Sequence, residues 1–359
     1  MKMKKIISIL LLFSLFLTSA SWLTSCGNVE KNKEYKTRSE AISYSYFNTV
    51  STIASYGDTS DAQFENYLKI SADILEYYHK LFDIYFEYSG INNIRTINKN
   101  AGKNPVKVDR ELVDFLVFCK ELYTLTGGKT NIMLGSVLEI WHDARENASD
   151  GSGYLSPDEL PTAAELESAN AHTSIDLLVI DEEECTVYIS DSEASIDVGA
   201  IAKGYTVDVL YSRLKAEGAD SVALNIGGNI RTIGLKPGGK MWTSGITNPD
   251  KDADDPVKCR LSIGENSIVT SGDYERYFIS GDKKYHHIID PATLMPAEYF
   301  ASVSIITNNS GLADALSTAL FCMSYEDGLA LTQSIGDVEV LWIYKDGTIK
   351  MTEGIVIVK

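Results

Sequence analysis

The stretch Ile196-Asp197-Val198-Gly199-Ala200-Ile201-Ala202-Lys203-Gly204-Tyr205, followed on to Ile233, sets out the fold in miniature. Ile196–Val198 reads as a short strand, Gly199 permits a tight turn, and the pattern from about Ile201 to Ala216 is helical. Two further strands, Ser221–Asn225 and Ile230–Ile233, bracket Gly227-Gly228. Strands joined by tight turns therefore alternate with long helices.

The same mixture extends in both directions. Upstream, Ala62 to Glu87 has Phe64, Tyr67, Leu68, Ile74, Leu75, Tyr78, Leu81 and Phe82 at spacings of three and four, with Asp61 placed to cap it. Arg110 to Leu125 is a second helix, ended by Gly127-Gly128. The polar segment 147–171 reads as an excursion holding a short helix at Ala163–Ala169, before strands at Leu177–Ile180 and Thr186–Ile189. Downstream, strands fall at Trp242–Thr247, Ser267–Thr270, Arg276–Ser280, Ser302–Thr307 and Val340–Tyr344, with a helix from Gly311 to Met323. The fold class is α+β, with mixed or antiparallel sheets and several long helices, as one large domain or two lobes with a site between them.

The N-terminus reads as an address rather than as fold. Lys2, Lys4 and Lys5 precede an apolar run from Ile6 to Leu17 that is short for a bilayer span and has the pattern of a secretory signal. Leu23-Thr24-Ser25-Cys26-Gly27 follows and resembles the lipobox of bacterial lipoproteins, in which the Cys becomes the lipid-bearing N-terminus. The expected organisation is a signal over 1–25, a lipidated Cys26 with a polar tether over 26–40, and a folded domain over 41–359. Extended, the tether would reach roughly 40 Å. This places the protein on the extracytoplasmic face of a cell membrane, held by more than one acyl chain.

The chain is acidic, with 32 Lys and Arg against 50 Asp and Glu, and loss of the leader takes its formal charge from −18 to −21. That argues against nucleic acid, which favours a basic patch. An anionic ligand would need a local positive focus, most simply a bound divalent cation. Cys119, Cys185, Cys259 and Cys322 are far apart and form no C-x-x-C, so neither a zinc site nor a disulfide pairing is readable.

Several motifs are chemically suggestive, each with a plainer alternative. The Gly199 turn opens a helix whose N-terminal N–H groups and Lys203 suit an anion, or form an ordinary strand-to-helix turn. Asn225-Ile226-Gly227-Gly228-Asn229 allows close approach of a ligand, or a tight turn. Asp314 and Thr318 share a helix face and make a partial oxygen shell for Mg²⁺, or complement the helix dipole and back-bond. In His286-His287-Ile288-Ile289-Asp290-Pro291, extended neighbours point oppositely, so one histidine faces any site, as a base or as a locally satisfied ring. His79 reads as a surface or packing residue rather than a catalyst. Gly128-Lys129-Thr130 is not a phosphate loop, because Tyr123 stands where the earlier glycine is needed.

In order along the chain, F-N-T-V-S-T-I (47–53), L-F-D-I-Y, I-N-K-N, G-S-V-L-E-I-W-H, I-D-V-G-A-I-A-K-G-Y-T-V-D, L-N-I-G-G-N-I-R, W-T-S-G-I-T-N-P, V-T-S-G-D-Y-E-R-Y-F, Y-H-H-I-I-D-P and A-D-A-L-S-T-A resemble the ApbE family, the FAD:protein FMN transferases. The sequence departs from it at Lys129-Thr130-Asn131-Ile132-Met133, where an aromatic-Asp-x-Thr run is usual, and at Ala292-Thr293, where Thr-Gly is common. The resemblance implies Mg²⁺-dependent transfer of FMN from FAD, as substrate, to a Thr or Ser hydroxyl of an exported acceptor flavoprotein, with AMP leaving. It implies Mg²⁺ at Asp314, Thr318 and the Ala200 carbonyl, and His287 as the base. It also implies an FAD site built by Lys203, Gly204, Asn225, Gly227, Gly228, Ser271, Gly272, Asp273 and Tyr274. With water in place of the hydroxyl, the same site would be an FAD pyrophosphatase; without turnover, the protein would be an FAD-binding lipoprotein.

Overall fold

A computed structural model describes residues 36–148 and 153–358. The leader, Cys26 and the first part of the tether lie outside the described residues. Its centre is an eight-stranded sheet: β1 Lys36–Ser43, β2 Ser51–Gly57, β3 Val222–Ile226, β4 Asn229–Ile233, β5 Ser267–Gly272, β6 Ser302–Thr307, β7 Glu339–Ile343 and β8 Ile349–Met351. Their order in space is their order in sequence, and every neighbouring pair is antiparallel. The β3–β4 hairpin closes through Gly227-Gly228, with Ile226 paired to Asn229. Both glycines have positive φ (55° and 92°), as a two-residue hairpin turn of this hand requires.

Among the described residues eight α-helices accompany the sheet: α1 Asp61–Phe82, α2 Ile94–Lys99, α3 Arg110–Leu125, α4 Gly135–Asn147, α5 Ala163–Asn170, α6 Ala202–Ala216, α7 Ser310–Phe321 and α8 Tyr325–Ile335. Helices α1 and α6 bury Phe64, Leu75, Val207 and Leu210 against Ile53, Leu224 and Ile233 of the sheet. Further along the same sheet, α7 packs Ala313, Leu316 and Leu320 on Val303, Ile305 and Trp342. A separate three-stranded sheet (Trp242–Thr247, Val257–Ile263, Val356–Val358) buries Trp242, Leu261 and Ile263 on Ile268, Ile306, Leu341 and Ile343. Fully burying side chains of this size contributes about 1.5–3 kcal/mol each. From Lys36 onward the chain is one unit rather than two lobes.

Three boundaries differ from the sequence reading for identifiable reasons. Strand β1 begins at Lys36, inside the segment read as tether. It is an edge strand with half of its residues exposed and one buried, so it is held by its ladder to β2 and carries little apolar signal. Helix α1 is capped by Ser60, through a reciprocal box with Gln63, and stops at Phe82 rather than Glu87. There the buried Asp83 accepts the N–H groups of Tyr85 (2.7 Å) and Phe86 (3.1 Å), turning the chain. Finally, Ile196–Val198 is not a strand. The Asn98 side chain takes the place of a neighbouring strand, bonding Ile196 N–H (2.8 Å) and C=O (2.9 Å).

Candidate active site

The turn read first in the sequence sits on one wall of a cavity of about 720 Å³. Asp197 Oδ1 accepts Gly199 N–H (2.8 Å), bending the chain so that Ala200 and Lys203 line the cavity at the start of α6. One N-terminal N–H of this helix meets an anion, from within the protein. Gly204 N–H donates to Asp314 Oδ2 of α7 (2.9 Å), and Lys203 Nζ lies 3.7 Å from the same oxygen. In an uninterrupted helix Gly204 N–H would return to the Ala200 carbonyl, so this diversion frees that carbonyl for another partner.

Asp314 is 5 % exposed. Burial pushes its carboxyl up, while Lys203, the Gly204 N–H and the Asn229 side chain oppose that shift. Thr318 lies one turn further along α7 and lines the same cavity. Asn229 Oδ1, also on the wall, is buried without a hydrogen-bond partner. One buried carboxylate among neutral oxygens is a donor set for a hard cation such as Mg²⁺, which takes one or two carboxylates and leaves positions for phosphate and water. Among the described residues no three His, Cys, Asp or Glu side chains gather as a softer metal site would need.

On another side of the cavity the adjacent histidines separate in role. His286 is 4 % exposed and locally satisfied: its Nε2 bonds Ala297 O (2.8 Å) and its Nδ1 accepts Ile288 N–H (3.2 Å). His287 faces the cavity, and its Nδ1 is buried without a partner. Burial, then the Arg276 guanidinium, His286 and Arg145, bring the His287 imidazole down to about 3, so it is neutral at physiological pH.

The cationic side chains Arg145 and Arg276 also line this space, as does Lys129. Burial, and next the proximity of Arg276, lower Arg145. Sequence reading missed both arginines. Arg145 sits on α4, and Arg276 follows β5 within a motif read for its serine and glycine. The positive focus expected of a cation and Lys203 is therefore supplemented by two guanidinium groups, despite the chain's net negative charge.

Asn225, Gly227, Gly228, Ser271, Gly272 and Tyr274 line the cavity as well. Ser271 Oγ bonds Ser317 Oγ (2.8 Å), and Asn225 Oδ1 accepts Gly228 N–H (2.9 Å), steadying the hairpin turn. Two residues assigned to the FAD site are not on its wall. Asp273, in the turn that follows β5, is buried in an ion pair with Lys284 (2.7 Å) instead. Gly204 lies beneath the surface, in contact with α7. His79, read as a surface or packing residue, does reach the cavity and accepts Phe47 N–H at Nδ1 (3.4 Å). Gly128-Lys129-Thr130 has local work: Lys129 pairs with buried Asp290 (2.7 Å), and Thr130 Oγ1 donates to Ala315 O (2.8 Å).

Known proteins resemble this chain in sequence and in shape. The ApbE family profile matches residues 47–342. The FAD:protein FMN transferase of Treponema pallidum is 31% identical over 342 residues, covering 92% of this chain and 90% of that protein. The enzyme of the same name from Klebsiella pneumoniae is 30% identical over 256 residues, covering 71% and 76%. Among solved structures, the ApbE protein of Thermotoga maritima superposes with a TM-score of 0.75 at 26% identity, covering 89% of this chain and 97% of that one. The flavin transferase ApbE of Vibrio cholerae gives 0.72 at 26% identity, covering 88% and 97%. With its antiparallel α+β architecture and a profile match across most of its length, the chain belongs to the ApbE family.

Proposed function

We propose that the protein is an FAD:protein FMN transferase, moving FMN from FAD to a Thr or Ser hydroxyl of an acceptor flavoprotein and releasing AMP. The observation that carries this reading is the convergence of an oxygen donor set, a neutral histidine and four cationic side chains on one cavity, in a chain similar to enzymes of that name. Asp314, Thr318 and the Ala200 carbonyl would hold Mg²⁺. When bound, the cation would draw charge from the diphosphate and its leaving group.

The acceptor hydroxyl oxygen would form a bond to the FMN-side phosphorus as that phosphorus parts from the bridging oxygen. The hydroxyl proton would pass to the neutral imidazole of His287, which lines the cavity. The product is a phosphoester on the acceptor, with AMP carrying the bridging oxygen. An imidazole held near 3 is a weak base. A diphosphate set against Arg276 and Arg145 would offset their fields and raise it towards the working range. Lys203 would stay beside Asp314, limiting the negative charge there.

The leader and Cys26 support a membrane-anchored enzyme acting on an exported acceptor. Lipid on Cys26, the cysteine of the lipobox-like stretch, would be the anchor. The test is to incubate protein, FAD and Mg²⁺ with an exported flavoprotein of the same cell. Flavin that stays on the acceptor after denaturation supports the transferase. FMN and AMP appearing equally fast with and without acceptor would identify a pyrophosphatase instead. FAD retained without AMP would identify a binding protein.

A further inference from the structure

The carboxylate of Asp208 stands on α6 one turn after Gly204, outside the site just described. It accepts the Gly311 N–H at 2.8 Å, and the neighbouring Ser310 N–H also bonds it. These are donors from the first turn of α7, which has no carbonyl of its own to receive them. Asn309 satisfies the next ones: its Oδ1 accepts Leu312 N–H (2.8 Å) and its carbonyl accepts Ala313 N–H (3.0 Å). Meanwhile Gly204 N–H, in the first turn of α6, is received by Asp314 of α7. Each helix thus caps the other. Two carboxylates, Asp314 one turn and Asp208 nearly two turns into their own helices, receive the unpaired N-terminal donors of the facing helix.

The latch has little slack. A Cβ on Gly204 would lie 2.2 Å from Ser310 O, so the two backbones are already in contact. Ser310 is tied to the sheet as well, through the Ser267 Oγ–Ser310 Oγ bond (2.8 Å). Arg231, 3 % exposed on β4, lies near enough to Asp208 to favour its charge, and its guanidinium stacks 4.0 Å from the centre of the Tyr211 ring.

We propose that Asp208 is a positioning residue for the metal site, fixing the rotation and height of α7 so that Asp314 and Thr318 present their oxygens beside Ala200. The inference rests on the metal role of Asp314 given above. Its test uses Mn²⁺ alone, titrated into the full folded protein without FAD, together with hydrogen exchange at the Gly204 amide. Asp208→Ala should weaken Mn²⁺ about 10–100-fold, the range for losing a group that orients a metal ligand, and should speed Gly204 exchange. Asp208→Asn, whose amide oxygen still accepts both N–H groups, should restore most of each. Leu210→Ala, a core truncation in the same helix, controls for lost stability and should bind Mn²⁺ as the parent does. Parental Mn²⁺ affinity in Asp208→Ala, or an equal loss in Leu210→Ala, overturns the proposal. If the parent itself binds no Mn²⁺, the metal reading fails separately; unchanged Gly204 exchange in Asp208→Ala then overturns the latch on its own.

Discussion

Replacing Gly204 by Ala sets two physical effects of opposite sign against each other. Helix propensity alone favours Ala over Gly by about 1 kcal/mol in a helix interior. The structure predicts the reverse. The new Cβ would sit 2.2 Å from Ser310 O and 2.6 Å from Asp314 Cβ, where backbone atoms cannot yield as a flexible side chain can. Ordinary contact requires α6 and α7 to part by about 1 Å, and overpacking of this kind costs about 1–3 kcal/mol. The same shift stretches the 2.9 Å bond from Gly204 N–H to Asp314 Oδ2 past hydrogen-bond range, at about 1.5–3 kcal/mol for a charged acceptor. After the propensity gain, the net destabilisation is about 1.5–5 kcal/mol. Urea unfolding of parent and variant, each fitted with its own slope, measures it. A Gly204→Ala protein as stable as the parent, or more so, would refute the close-packed helix pair and the positioning of Asp314 that depends on it.

Other consequences follow from single contacts. His287→Ala should slow transfer by about 10²–10⁴ while leaving FAD affinity nearly unchanged; an unchanged single-turnover rate removes the base assignment. His286 is held down to about 4, chiefly by burial, so its neutral form favours folding. That contribution is complete above about 6.5, where the unfolded ring is also neutral, and is lost as pH falls towards 4. Between pH 7 and pH 5 it amounts to about 2 kcal/mol. His286→Gln should show a correspondingly smaller loss over that interval in urea titrations, and equal losses would contradict the burial argument. Lys129→Met removes the partner of Asp290, which is 3 % exposed, and should cost about 2 kcal/mol at neutral pH. Chemical unfolding at pH 7 measures this, and a neutral effect would show that solvent or another cation replaces the pair.

Much of the fold was legible because period and punctuation agreed. Arg110–Leu125, Thr186–Ile189, Trp242–Thr247 and Ser302–Thr307 fall where their apolar spacing and flanking turns put them. What escaped depended on partners distant in sequence. The polar strand β1 exists because β2 completes its ladder, and the Ile196 backbone is held by a side chain 98 residues away. The site divides similarly. Asp314 and Thr318 share a helix face by spacing, and the alternation of extended residues separates His287 from His286. Arg145 and Arg276 reach the cavity only through tertiary folding. Asp273 shows the limit of motif reading, since its neighbours line the cavity while it pairs with Lys284 behind them.

The central claim is tested most directly by following AMP and acceptor mass together. With FAD, Mg²⁺ and an exported flavoprotein acceptor, each molecule of AMP released should be matched by one FMN added to the intact acceptor mass. The gain should disappear when the acceptor Thr or Ser is replaced by Ala. AMP accumulating while the acceptor mass stays unchanged would contradict the transferase account.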